Sequence, residues 1–436
     1  MKRVTCILLS LVIFMTSVLV MSAAAQEKLY RKGRYYIGEI TQAYPVKDGG
    51  LLKILRMKGD ISVKSWDKPL VEIHQKIKMD VFTRSEAEKG FESAKASTQA
   101  NGKTIFVDGG SYRSWMHVDF QVNVPRAFNT KLQTRGGDLK LIGIKGDQQV
   151  STSGGDIKLA DLSGAIQART SGGDISAKRV KGTLSVATSG GDLNLTDIAG
   201  ILSGSTSGGD VTVKNCTDRV NVSTSGGDID IVNARDDLNA RTSGGDIQIR
   251  EAGGRVSIAT SGGDISVLKA GGDVNARTSG GDIEITDALK NVLALTSGGD
   301  ITIENVAEAA VAKTSGGGII IKNAGGSVEA KTSGGDVAVQ MNPTDFAKDH
   351  HASIASSGGD LELVLPGKLP ATIHALIEVK HKPLSDYSIT SDFPLSIQKK
   401  EKSGWKKIIE ASGDINGGGD KIELKTVNGN ITIKKE

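Results

Sequence analysis

The most regular chemistry in this 436-residue sequence is a column of aspartates. Asp156, Asp174, Asp192, Asp210, Asp228, Asp246, Asp264, Asp282 and Asp300 each close a Thr-Ser-Gly-Gly-Asp motif, and each stands 18 residues from the next. Asp138 and Asp336 extend the series, with Gly318 as its single gap. Carboxylates repeated at that interval have two uses. Each can accept bonds from nearby backbone N–H groups in a turn, while the glycine pair supplies unusual dihedrals. Alternatively, carboxylates and backbone carbonyls of successive units can hold calcium, a hard cation that prefers oxygen. Calcium-binding nonapeptides also give 18 residues per two units, but they repeat their glycine-aspartate signal in both. Here one Gly-Gly-Asp occurs per 18 residues. Turn chemistry is therefore the expectation, and calcium on the nine aspartates from Asp156 to Asp300 is the alternative. Carboxylates one strand spacing apart repel by about 0.9 kcal/mol per pair in water, so something must offset that repulsion.

Other reactive groups are sparse. Residues 134–342 contain no histidine. Cys216 falls in an apolar column and reads as a small core residue. Asp345, Asp349, His350 and His351 offer metal-ligand types, but adjacent histidines lack a defined ligand geometry, so a solvated loop is expected. Paired carboxylates for glycoside cleavage are available throughout. No Phe, Tyr or Trp lies between Phe128 and Phe346, however, so aromatic platforms for a sugar chain are missing there. Thr152 and its equivalents share parity with the apolar positions, so their hydroxyls should bond along the stack. An exposed threonine face for ice or a crystalline polymer is the alternative.

The elements that carry these residues follow from the period. Apolar residues recur one, three, six and ten positions after each Asp, as in Ile157, Leu159, Leu162 and Ile166. A spacing of two within each half means strand, with alternate side chains inward. Two glycines per 18 residues would each cost about 1 kcal/mol in a helix. Each unit should thus form one coil of two short strands, stacked in parallel on its neighbours. The expected fold is all-β: a parallel β-solenoid of 18-residue coils, flanked by an N-terminal β-rich cap with one helix and a C-terminal β-rich cap. The segments are 1–25 as leader, 26–133 as lead-in, 134–341 as the regular solenoid and 342–436 as insertion, last coils and cap. Shrinkage of the third column to Ala234, Ala252, Ala270 and Ala288 implies a thinner middle. Ser85 to Ala96 should be the helix, with Ser85 and Glu88 as its capping box. Trp66, Trp115 and Trp405 belong in cap cores. The end strands are open edges, which the caps should block.

Composition supports this. Glycine numbers 55, but proline only 8 and there is no third-residue glycine, which excludes collagen. Lys2 and Arg3, the apolar run Ile7–Val20 and Ala23-Ala24-Ala25 read as an export signal, with an uncleaved anchor as the rival reading. Cys216 is then the only cysteine left, so no internal disulfide staples the fold. No later segment is apolar enough to span a membrane. Residues 26–133 carry 19 basic and 12 acidic side chains, whereas residues 134–360 carry 21 and 28. A basic head on an acidic body disfavours nucleic acid as a partner, and leaves the head able to touch anionic envelope polymers.

An alternating segment ending at Val124-Pro125, the many Thr-Ser-Gly-Gly-Asp-Ile units and a closing Thr-Val-Asn-Gly-Asn-Ile-Thr-Ile resemble the bacterial "putative adhesin" family of β-strand-repeat domains. That resemblance implies export and a β-solenoid-like fold, and it brings no catalytic residues. The leading expectation is an exported, non-enzymatic binding or spacer module with no cofactor, in the periplasm, on the cell surface or outside the cell. Its partner would be an envelope polymer or surface protein. A polysaccharide-active β-helix enzyme and a calcium-stabilised rod are the alternatives.

Overall fold

The structure is a computed structural model describing residues 25–109, 112–401 and 406–436. Leader residues 1–24 and Trp405 lie outside them. The first elements are β1 (Gln26–Lys32), β2 (Tyr35–Pro45), β3 (Gly50–Met57), β4 (Ile61–Trp66) and β5 (Leu70–Met79). The helix α1 (Arg84–Ala94) follows, then β6 (Ser97–Asn101), β7 (Thr104–Asp108), β8 (Met116–Pro125), β9 (Phe128–Thr134) and β10 (Leu139–Ile142).

The 18-residue period becomes the strand register. Ile157 pairs with Ile175, Ile175 with Leu193 and Leu193 with Val211, all in parallel. The second strand of each coil keeps the same step, as in Leu202 with Val220 and Val220 with Leu238. The chain therefore winds as an all-β solenoid with a sheet along each of two faces. The first sheet begins antiparallel as β1–β2–β5–β8, then runs parallel through β4 and β10 into the coils. It closes on Leu361–Leu365 and Ile431–Lys435. The second begins with β6–β7, continues through β3 and β9, and reaches Ala352–Ala355 and Asp420–Val427. Beyond it lie Ala371–Lys380, Lys406–Ile415 and Ser396–Glu401, the last two antiparallel. Ile61–Trp66 in the lead-in forms the first rung under β10, and Thr426–Ile433 lies in the closing coils. The outermost strands β1 and Ser396–Glu401 are rich in charge, which discourages further pairing at those edges.

The apolar columns form one continuous core. Ile157, Ile175, Leu193 and Val211 are fully buried. The two sheets meet across it: a Cβ placed on Gly204 of the second would lie 3.2 Å from Leu193 and 3.5 Å from Leu195 of the first.

One feature of the regular coils leaves only a faint trace in the repeat. In the regular coils the residue five positions into each unit after the Asp position has a left-handed backbone, from Asp161 (φ 57°) through Asn215 and Asn233 to Asn323 (φ 55°, after Gly318). Strict alternation would turn this side chain inward. The left-handed residue resets the parity, so the side chain six after the Asp, such as Ile198 or Cys216, points into the core. Asn and Asp tolerate this conformation best, yet Arg179, Glu251 and Lys269 also adopt it.

The helix begins earlier than its sequence signal implied. Its capping box is Thr83 with Glu86: the Glu86 N–H donates to Thr83 Oγ1 at 3.2 Å, and the Thr83 N–H donates to Glu86 Oε2 at 3.1 Å. Both this pair and Ser85 with Glu88 fit the same spacing. The choice is made by packing, because Ala87, Gly90, Phe91 and Ala94 form the buried face, and Phe91 occupies the space left by the missing side chain of Gly38.

Candidate functional site

The aspartate column is a hydrogen-bonded ladder. The Asp174 N–H donates to Asp156 Oδ1 at 3.0 Å, and the Asp192 N–H donates to Asp174 Oδ1 at 2.8 Å. The same bond joins Asp210, Asp228, Asp246, Asp264, Asp282 and Asp300 to the carboxylate one coil before, at 2.7–2.8 Å. Gly318 donates to Asp300 but offers no carboxylate onward. Asp360 donates to Asp336, and Asn430 to Asp360. Each carboxylate is half-buried or exposed at the rod surface. One oxygen therefore fixes the backbone of the next coil, and these charge-assisted bonds offset the repulsion between neighbours.

The ladder reaches further back than the repeat does. Asp138 donates its N–H to Asp60 Oδ1 at 2.8 Å, and Asp60 donates to Asp119 Oδ1 at 3.4 Å. Asp119 heads the column although it lies on β8, 59 residues from Asp60 in sequence. His117 Nε2 lies 2.9 Å from Asp119 Oδ1. Among the described residues, Asp60, His117 and Asp119 form the one group of three possible metal-ligand side chains whose atoms converge within 4.8 Å. Within the regular coils, three carboxylates in line span two strand spacings, about 9.6 Å, which is too far for one ion to meet all three. Burial pushes the Asp119 carboxyl above its ordinary range, while His117 pulls it back.

The glycine pair works by close approach rather than by unusual dihedrals. Neither glycine of the regular Gly-Gly pairs has positive φ. A Cβ on Gly227 would overlap the Gly209 carbonyl oxygen and lie 2.5 Å from both its carbonyl carbon and Asp210 Oδ1. On Gly226 the nearest atom would be 3.5 Å away.

The threonines lie inside. Thr152, Thr170 and Thr188 are buried, which rules out a flat exposed threonine face. Their hydroxyls do bond along the stack, but to backbone rather than to one another. Thr170 Oγ1 donates to the Gly155 carbonyl of the preceding coil at 2.9 Å.

Three surface features vary along this constant frame. An outward ladder of amides runs along the left-handed corner, with Asn233 Nδ2 donating to Asn215 Oδ1 at 3.0 Å and Asn323 to Asn305 at 2.8 Å. Where the third column shrinks to Ala234, Ala252 and Ala270, a groove of about 520 Å³ opens beside that corner. On the first sheet, Asp228, Asp230, Asp246, Asp264, Asp282 and Glu284 line an acidic groove of about 580 Å³.

The insertion does not assemble its candidate ligands. His350 is wholly buried, and neither ring nitrogen has a hydrogen-bond partner, Nδ1 lying 3.5 Å from Asp420 Oδ2; its backbone N–H donates to Asp420 Oδ2 at 2.8 Å. His351 instead pairs with Asp349 at 2.8 Å, and the N–H and ring of His351 hold the Asp349 carboxyl below its usual range. Asp345 accepts the Ala347 N–H at 3.0 Å. The loop thus separates the two imidazoles. Cys216 is buried, and burial raises its thiol pKa. Trp115 packs against the core, and Trp66 is half-buried with its Nε1–H donated to the Leu70 carbonyl at 2.8 Å. No helix among the described residues is long and apolar enough to cross a membrane.

The Toastrack DUF4097 family matches residues 40–250 and 250–434. No curated protein matches the chain. Solved structures similar to it include a "putative cell adhesion protein" from Clostridium sporogenes, 8% identical over 94% of this chain and 100% of that one, with a TM-score of 0.15. A "putative adhesin" from Parabacteroides distasonis is 11% identical over 74% and 96%, with a TM-score of 0.19. Another from Bacteroides fragilis is 12% identical over 91% and 97%, with a TM-score of 0.16. Scores of this size carry no argument about ligand or activity.

Proposed function

Since the chain belongs to the Toastrack DUF4097 family, we propose that it is an exported, adhesin-like β-solenoid, a non-enzymatic rod that binds or spaces components of the bacterial envelope. The observation that carries this reading is the carboxylate ladder from Asp119 to Asn430, broken only after Gly318. The most repeated functional group in the sequence holds the shape of the rod. The outward columns between its bonds are free to differ coil by coil, as a recognition surface requires. The leader, the lead-in to 133, the regular rod to 341 and the closing segment to 436 are the parts of this proposal.

A pull-down tests it. The chain from Gln26 onward is incubated with envelope fractions of the source cell, once in calcium and once in chelator. Saturable retention in both supports a binding rod and supplies the ligand. Retention in calcium alone would transfer the role to a cation on the acidic groove. Degradation of an envelope polysaccharide, lost on a single Asp→Asn change, would overturn the non-enzymatic reading.

A further inference from the structure

Part of the basic excess of residues 26–133 lies on the outer face of the first sheet. Across β1, β2, β5 and β8, antiparallel register aligns Lys28 with Glu39, Lys76 and Asp119, Tyr30 with Ile37, Lys78 and His117, and Lys32 with Tyr35. In an antiparallel pair, residues directly opposite share a face. Lys28, Lys32, Lys76 and Lys78 are all exposed. At the turn end of this face, two cations share one ring: Arg34 lies 4.7 Å and Lys78 4.0 Å from the centre of Tyr35. Arg34 also pairs with Asp80 at 2.8 Å. The ring's negative faces hold together charges that would otherwise repel.

Two residues past Asp80 stands Phe82, with 92% of its surface exposed. It precedes the Thr83 cap of α1, where an apolar side chain usually packs back onto the first turn. Its partner position there is Ala87, which is already buried, and the ring packs on nothing. An exposed apolar ring two residues along the chain from the partner of Arg34, following a strand that carries ammonium groups and leads to a tyrosine, has the composition of a protein surface at a membrane boundary.

We propose that this end of the rod docks on an anionic lipid surface, with Phe82 entering the acyl boundary and Lys28, Lys32, Arg34, Lys76 and Lys78 meeting lipid phosphates. A hydrated polyanion would satisfy the lysines but give Phe82 nothing, so the phenylalanine favours lipid over an acidic glycan. The body, with 28 acidic against 21 basic side chains in residues 134–360, is repelled by the same surface. The proposal deepens the reading of the chain as an envelope rod by supplying an attachment for it.

The test is sedimentation of the chain from Gln26 onward, which holds every described strand and the helix, with vesicles of defined lipid. Binding is expected to vesicles one-third phosphatidylglycerol, not to pure phosphatidylcholine, and it should weaken in high salt. Lys28→Glu, Lys32→Glu and Lys78→Glu together should lower affinity by about tenfold or more. Phe82→Ala should lower it several-fold, and Phe82→Trp should show a blue-shifted emission on anionic vesicles. These sites are exposed, and an unchanged melting temperature checks folding. Equal binding to both vesicle types, indifference to the charge reversals, or retention on soluble polygalacturonate without vesicle binding would each overturn the proposal. Such vesicles contain no protein or glycan, so failure here is distinct from failure to bind envelope fractions.

Discussion

Two neighbouring glycines in one coil provide a matched pair of perturbations. In Gly227→Ala the new methyl would meet the Gly209 carbonyl carbon at 2.5 Å, about 1 Å inside the optimal separation of about 3.5 Å. The obstacle is backbone of the preceding coil, which cannot rotate aside. Relief requires opening a strand spacing of about 4.8 Å by about a fifth, at the cost of hydrogen bonds on both sides. We expect a loss near the upper end of the overpacking range, about 3 kcal/mol. In Gly226→Ala the nearest atoms are Gly208 O at 3.5 Å and Ser207 O at 3.7 Å, which is ordinary contact. Its backbone has no positive φ. The expected change is under about 0.5 kcal/mol, biased toward stability because alanine narrows the unfolded ensemble. Urea unfolding followed by circular dichroism measures both. Because solenoid coils can open locally, hydrogen exchange at Asp228 and Ile229 should accompany it. Equal destabilisation by the two changes would refute the argument that close coil stacking dictates the second glycine.

Other outcomes follow from the same geometry. Asp246→Ala removes the acceptor of the Asp264 N–H and should cost about 1 kcal/mol in chemical denaturation, whereas Asp246→Asn keeps an acceptor, sheds two repulsions and should match or exceed the parent at low salt. Lys269 has φ 61° and an exposed ion pair to Glu251 at 3.7 Å, which contributes little; Lys269→Asn should therefore stabilise by about 0.5–1 kcal/mol in thermal melts. The Asp119 carboxyl is raised by burial, so its contribution is fully present below the unfolded pKa and is lost as pH rises through the folded one. Asp119→Asn should accordingly raise the melting temperature at neutral pH and not in acid, and a gain of equal size in acid would contradict that sign. If the ladder rests on N–H bonds, melting in excess calcium and in chelator should coincide; a rise of several degrees with calcium would make the acidic groove a cation site.

The repeat encodes the body of this protein outright. A period of 18 without slippage makes spatial neighbours a fixed chain offset apart, so register, apolar columns and the inward threonines were all readable from one coil. It also located the closing coils near the C terminus. The left-handed corner left a trace, the step of three between the second and third apolar columns, but the side chains there are too varied to form a motif. What lies outside the repeat was settled by packing between distant segments. Asp119 joins the ladder across 59 residues, His350 is buried against Asp420 across 70, and Phe82 stands free while Phe91 is packed. Packing also reassigned the second glycine from dihedral freedom to close approach, and moved the helix cap to Thr83. The physical reason is the same throughout: periodic contacts are encoded coil by coil, whereas cap contacts join segments with no shared period and are settled by which surfaces fit.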